Sequence, residues 1–306
     1  MSYDDIDDHC FEEAVRWHAR LRGEDDSALY REYADWLATD WRHGKAMEEA
    51  EALFGALKTI ASATPQIAAT RRGRARRMRF AAAAAVVLVA GIAVIAQRSH
   101  HDAQTRVGET RLVTLADGTS VTLGPDTAID VDLRPHERRI TLVKGEALFH
   151  VSHDAARPFL VDAGAGHTRV LGTVFDVERT TGGVRVGVLE GRVAVGDSRG
   201  EALQLVADEA AAIDATGVHA LARNEAAAQL AWTKGQWVFY RRPLADVVAR
   251  IGRSRHGVIL LRGRALQAPP VSGAFDAQAP DAALDSLVSA LNLGRVDLGP
   301  WLTVVY

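Results

Sequence analysis

Cysteine occurs once in these 306 residues, at position 10, so no intrachain disulfide holds any part of the chain together. Aromatic residues make up 6% of the whole, and between positions 105 and 220 they reduce to Phe149, Phe159 and Phe175. Such scarcity argues against a glycan platform, which stacks its ligand on exposed rings. No glycine-rich phosphate loop, paired zinc-ligand helix or nucleophile elbow is present. In "HVSHD" the alternation of side chains splays His150 and His153 to opposite faces, next to Asp154, which points to a surface role. The pair His100 and His101 reads as a solvated stretch. Asp126, Asp130 and Asp132 lack the loop glycine and closing glutamate of a calcium hand, and read as a solvated strand edge. Glu146 and Glu190 each neighbour a glycine and read as turn or bulge positions, not as a paired acid and base. The sequence thus predicts no catalytic residue, no metal site and no cofactor, and the chain does not read as an enzyme.

Charge is missing altogether from Phe80 to Ala96. A helix of that length spans roughly 26 Å, close to the ~30 Å hydrocarbon core of a bilayer. Directly before it stand Arg71, Arg72, Arg74, Arg76, Arg77 and Arg79. A core helix would show a polar stripe, and a signal peptide would begin near the N-terminus. Residues 80–97 are therefore expected to form one uncleaved transmembrane helix behind a basic tether, residues 65–79. The arginines place the N-terminal side in the cytoplasm and residues 98–306 across the membrane.

What is abundant is acid at the front. Residues 1–64 hold fifteen Asp and Glu against seven Lys and Arg, a balance that points to a protein partner with a basic surface and away from direct nucleic-acid binding. Apolar residues recur at helical spacing: Ile6, Cys10, Ala14, Trp17, Leu21; Leu29, Tyr33, Trp36, Leu37; Met47, Ala50, Phe54, Leu57. Three short amphipathic helices follow, with Asp40 capping the third. Trp17, Trp36 and Trp41 are many tryptophans for so small a core, which leaves open whether each fills it or anchors a partner.

Beyond residue 98 the period changes from 3.6 to 2. "RLVTLADGTSVTLGPDTAIDVDL" alternates around Asp117-Gly118, and further strands follow to about residue 220. This pattern predicts an antiparallel sandwich or jelly roll over 98–225. Residues 226–306 read as strand, helix and strand written twice, a small α/β module with Pro243 and Pro280 just inside the helix starts. The fold expected is multidomain: all-α, one transmembrane helix, all-β, then α/β.

Specific segments carry a family resemblance. "YADWLATDWRHGKAM", with Tyr33, Trp36, Leu37, Asp40, His43 and Ala46, resembles the N-terminal domain of FecR-type transmembrane regulators, the anti-sigma factors of extracytoplasmic-function sigma factors. "VTLADGTSVTLGPDTAIDV", "RRITLVKGEALFHVSHDAARPFLVDA", "VLGTVFDV" and "VGVLEGRVAV" are similar to successive segments of the FecR periplasmic domain. From "GQWVFYRRPLADVVARI" onward the chain resembles the short N-terminal domain of secretins and TonB-dependent receptors. Two departures stand out: Trp41 replaces the usual proline after the aspartate, and Asp208 stands where glycine is expected.

The resemblance implies an inner-membrane protein whose residues 1–64 sequester a sigma factor. Trp17, Tyr33, Trp36, Leu37, Trp41 and His43 would form that interface or the core beneath it. It also implies that the outer part receives a signal from the periplasmic domain of a TonB-dependent outer-membrane transducer, in iron or siderophore uptake. Trp232, Trp237, Phe239 and Trp301 are the candidates to face it, and membrane proteases would complete the signal by stepwise cleavage. The alternative is a membrane-anchored binding or structural protein of the cell envelope.

Overall fold

The computed structural model describes residues 8–21, 27–61, 101–200 and 202–306. The chain divides into two compact units, an N-terminal helical one and a larger one running from residue 95 to 305. Residues 80–97 and the six arginines before them lie outside the described residues. Among the described residues no helix is long and apolar enough to cross a membrane.

The helical unit contains α1 (Asp8–Leu21), α2 (Ser27–Thr39) and α3 (Trp41–Ala61). Asp40 separates the last two. Its carboxylate accepts from the Arg42 side chain at 2.9 and 2.6 Å and from the Arg42 backbone N–H at 2.9 Å, the bonds of an N-cap. The same bonds, the side-chain one foremost, hold the carboxyl down at about 2. Cys10, Phe11, Ala14 and Val15 form the buried stripe of α1, and Leu29 of α2 and Ala46, Met47 and Ala50 of α3 are buried in the same unit. Phe11 and Val15 complete the stripe that Cys10 and Ala14 begin, because neighbours one and four residues apart share a helix face.

The larger unit is built on two seven-stranded sheets. One orders β1 (Ala103–Gln104), β4 (Ala128–Leu133), β5 (Arg138–Lys144), β7 (Phe159–Asp162), β8 (Gly166–Val170), β11 (Arg192–Asp197) and β12 (Ala202–Val206). The other orders β14 (Gly217–Ala220), β13 (Ala210–Asp214), β10 (Gly183–Glu190), β9 (Val174–Arg179), β6 (Glu146–His150), β3 (Ser120–Leu123) and β2 (Arg111–Thr114). Pairing in these sheets is antiparallel except between β5 and β7. A single apolar core joins residues of both, including Val121, Ile140, Phe149, Phe159, Phe175 and Ile213. The three phenylalanines meet there, with Phe149 stacked on Phe175 at 5.3 Å and edge-on to Phe159 at 6.0 Å. Arg138 is fully buried in the same unit. It donates to Asp117 Oδ2 at 3.0 Å and to the carbonyls of Ser152 and Arg157 at 2.8 and 3.0 Å. Burial pushes the Asp117 carboxyl up, but hydrogen bonds from Thr119 and Arg138 outweigh it and hold it below the usual range.

The chain enters this sandwich through β1, which pairs only Ala103 with Ile129 and Gln104 with Ala128. Side chains reinforce that short strand: Asp102 accepts from Val131 N–H at 2.7 Å, His101 contacts Asp130 at 2.8 Å, and Thr105 Oγ1 donates to the Gly124 carbonyl at 2.6 Å. Asp208 has φ +66°, the left-handed conformation that makes glycine the natural occupant and Asp a tolerated one.

After the sandwich come α4 (Asn224–Leu230), a 3-10 turn (Ala231–Lys234), β15 (Gln236–Arg242), α5 (Leu244–Gly252), β16 (Val258–Leu261), β17 (Val271–Asp276), α6 (Pro280–Ala290), β18 (Arg295–Leu298) and β19 (Leu302–Val305). β15 pairs with β17, and β16, β19 and β18 make a separate three-stranded sheet. The doubled strand-helix-strand pattern is present. Two elements were not legible, α4 and β18, and Pro243 sits one residue ahead of α5 while Pro280 opens α6.

Candidate functional site

In the helical unit, Trp17 of α1 and Tyr33 and Trp36 of α2 form one aromatic cluster, with ring centroids 5.7 to 6.1 Å apart. The buried His43 of α3 stacks flat on Trp36 at 4.3 Å. Its Nδ1 lies 2.7 Å from the Trp36 carbonyl; a carbonyl only accepts, so that nitrogen carries a proton. Glu13 of α1 closes the arrangement by accepting from Trp36 Nε1 at 2.8 Å, with His43 Nε2 3.8 Å away. Trp17, Tyr33, Trp36 and Leu37 are half-buried, and Arg20 covers the Trp17 ring at 4.7 Å. Trp41 is different, at 64% exposed with Lys45 above its ring at 4.9 Å. The structure thus brings four of the predicted residues, Trp17, Tyr33, Trp36 and His43, into one cluster and sets Trp41 on the surface. Glu13 was missed, since nothing in spacing distinguishes it from the other acids of this module.

The larger unit holds a second concentration of chemistry. Glu146 of β6 and Glu178 of β9 are paired directly across the ladder, with Asp176 opposite Leu148 two residues along. Like charges in opposition destabilise a sheet. Arg250 of α5 donates through Nη2 to both Glu146 oxygens at 2.5 and 2.6 Å. Arg253 and Arg242 donate to Glu178 at 2.9 and 3.2 Å, and Arg250 lies 3.6 Å from it. Asp176 accepts from Trp232 Nε1 at 3.1 Å and Gln229 Nε2 at 2.7 Å. Glu146 therefore corrects the turn-or-bulge expectation: its side chain is buried and paired. Glu190 does lie where the β9–β10 register shifts.

Burial pushes Asp176 up to about 7, against the hydrogen bonds from Gln229 and Trp232 and the charge of Arg250. Burial likewise raises Glu146, with Arg250 opposing it, whereas for Glu178 the attraction of Arg250, Arg242 and Arg253 overcomes burial and lowers it. A carboxyl raised in the folded state binds a proton that the unfolded chain has released, so Asp176 withdraws stability as the pH climbs from 4 through 7. Wild-type stability should fall by roughly 2–4 kcal/mol between pH 5 and 8 from this group. Asp176→Asn should flatten that slope, because Gln229 has an unpartnered Oε1 that can accept from the new amide after the side chain rotates. Urea midpoints across this pH range test it, and an unchanged slope refutes the assignment.

Trp232, Trp237 and Phe239 lie in the core between α4, β15, α5 and α6 with Leu148 of the sandwich. Of the four aromatic candidates for an outward role, Trp301 alone is on the surface, 74% exposed. His150 and His153 are exposed, and among the described residues no group of three His, Cys, Asp or Glu is placed to hold a metal. Lys144, His101 and Arg134 pair with Asp126, Asp130 and Asp132, respectively.

Residues 101–194 match the family model described as FecR protein. That segment of the larger unit therefore carries a FecR domain. Residues 12–53 match a second model, DUF4880, a domain of unknown function. Two crystal structures of a candidate anti-sigma factor from Parabacteroides distasonis ATCC 8503, at 1.65 and 2.50 Å resolution, share the fold: each is 24% identical, has a TM-score of 0.60, and aligns over 67% of this chain and 97% of that one. No curated protein matches the sequence. The aromatic cluster with Glu13 and Trp41 falls wholly within the DUF4880 match. The FecR match contains Glu146, Asp176 and Glu178 but ends inside β11, so their partners Arg242, Arg250 and Arg253 lie beyond it.

Proposed function

We propose that this chain is a single-pass inner-membrane anti-sigma factor, its N-terminal unit cytoplasmic and its larger unit periplasmic. The observation that carries this is the order of parts: an acidic helical module matching DUF4880, then six arginines and an uncharged stretch, then the FecR domain. A sigma factor must offer basic surface to DNA, and the acidic module complements it in charge. The structural similarity to a candidate anti-sigma factor is consistent with the role. In this reading the larger unit receives the signal of a TonB-dependent transducer loaded with iron or a siderophore, and membrane proteases release the sigma factor. The three phenylalanines of residues 105–220 are all in the core, so the sandwich offers no aromatic platform for a glycan.

The test is binding of the detergent-solubilised full chain to purified extracytoplasmic-function sigma factors of the same host. One of them should bind, and Trp41→Ala should weaken it at least tenfold, as expected for an exposed tryptophan anchor. The unfolding midpoint should stay within about 0.5 kcal/mol of wild type, because Trp41 supports no core. Binding to none of them sinks the proposal. Binding that ignores Trp41 removes this residue from the interface.

A further inference from the structure

The second face of the β6–β9 sheet region is covered by residues 224–305, and the cover is fastened by charge. Strands with one wet face alternate in burial, yet β6 is buried at Glu146, Ala147, Leu148 and Phe149 in succession, and β9 at Phe175, Asp176, Val177 and Glu178. The inward set belongs to the apolar core. The outward set is Glu146, Leu148, Asp176 and Glu178, and three of those four are carboxylates whose partners come from the later module.

Three features bear on how this seam opens. Arg242 Nε and Arg250 Nε are buried with no hydrogen-bond partner, and so is Gln229 Oε1. A cavity of about 630 Å³ runs along the seam between Thr122 and Leu148 on one side and Trp237, Ser254 and Gln278 on the other. The chain between β14 and α4 is only residues 221–223, a tie that persists when the contact is lost. Separating two apolar surfaces forfeits their burial, but separating buried ions returns their hydration, so opening here costs less than unfolding the core. We propose that residues 224–305 form a clasp that opens as a body along this ion cluster while the β-sandwich stays folded. The groups facing one another across it are Glu146, Asp176, Glu178 and Arg185 on the sandwich, and Glu225, Arg242, Asp246, Arg250 and Arg253 on the clasp. Opening uncovers a carboxylate-rich sheet face without exposing the phenylalanine core. The inference is independent of what the helical unit binds.

Hydrogen exchange read by mass spectrometry on the full chain in detergent tests it. Glu178→Gln removes the charge that Arg242, Arg250 and Arg253 share and leaves them only Glu146 and Asp246 as anionic partners. Exchange in β15 and α5 should accelerate at least tenfold while β5 and β11 stay within twofold of wild type. Arg253→Ala, which removes the least buried of the three arginines, should give the same pattern at about threefold and decides the matter if Glu178→Gln does not fold. Equal acceleration of β5 and β11 in a folded variant overturns the proposal, because the clasp and sandwich would then be one cooperative body. Unchanged exchange in β15 and α5 overturns it as well.

Discussion

Arg138→Met lowers the stability of the larger unit by about 3–5 kcal/mol, the loss typical of a buried ion pair deprived of one partner. Arg138 has no exposed surface, and its guanidinium reaches Asp117, Ser152 and Arg157 together, joining the β2–β3 turn to the segment that connects β6 to β7. Methionine matches much of the volume but leaves the Asp117 carboxylate to the N–H and hydroxyl of Thr119 and takes the guanidinium away from two carbonyls. The double variant Asp117→Asn with Arg138→Met should recover at least half of the loss, since it removes the stranded charge. Urea unfolding followed by circular dichroism measures both. A single variant within about 1 kcal/mol of wild type would show that water or neighbouring dipoles already satisfy Asp117.

Gly145→Ala should be comparably severe, about 3 kcal/mol or more, from two sources that add. Gly145 has φ +86°, where an alanine is strained by about 1–2 kcal/mol. A Cβ there would also meet Thr127, 2.6 Å from its Cα and 2.7 Å from its Cβ, besides its hydroxyl. Thr127 cannot retreat, because its hydroxyl donates to the Glu146 carbonyl and accepts from the Glu146 N–H. The substitution therefore displaces the strand start that presents Glu146 to Arg250. Hydrogen exchange should show faster opening at β6 as well as the lower global stability. An alanine variant as stable as wild type would mean that the turn has another conformation available.

Much of this architecture is readable from residue order because local periodicity and burial agree. The change from 3.6 to 2 near residue 100 locates the shift from helices to strands, and Val121, Leu123, Ile129 and Val131 face where alternation places them, the first three buried and Val131 packed against the core. The Asp208 position shows that a missing glycine can be located from motif alone, as its φ of +66° bears out. The ion cluster was hidden for a physical reason. Glu146, Glu178, Arg242 and Arg250 are up to 104 residues apart, and a charged residue in a strand ordinarily marks a wet face. Only tertiary contact turns it into a buried one. The faint signal was an unusual density of acid on two strands that pair, and reading it requires knowing that β6 and β9 are neighbours. Trp232, Trp237 and Phe239 show the converse: residue type alone does not separate an aromatic that packs from one that docks, and α4, the helix that leads to Trp232, is too short and alanine-rich to announce itself.

The entry strand β1 has a mechanical consequence. Tension along the chain from the N-terminal side reaches the sandwich first at β1, held at the edge of its sheet by two residue pairs and a few side-chain bonds, with Ala103 as its contribution to the core. Parting β1 from β4 breaks those few bonds and leaves the other strand pairings of the sheet in place. How firmly Asp102, Thr105 and His101 hold therefore sets how readily this edge strand parts from the sheet.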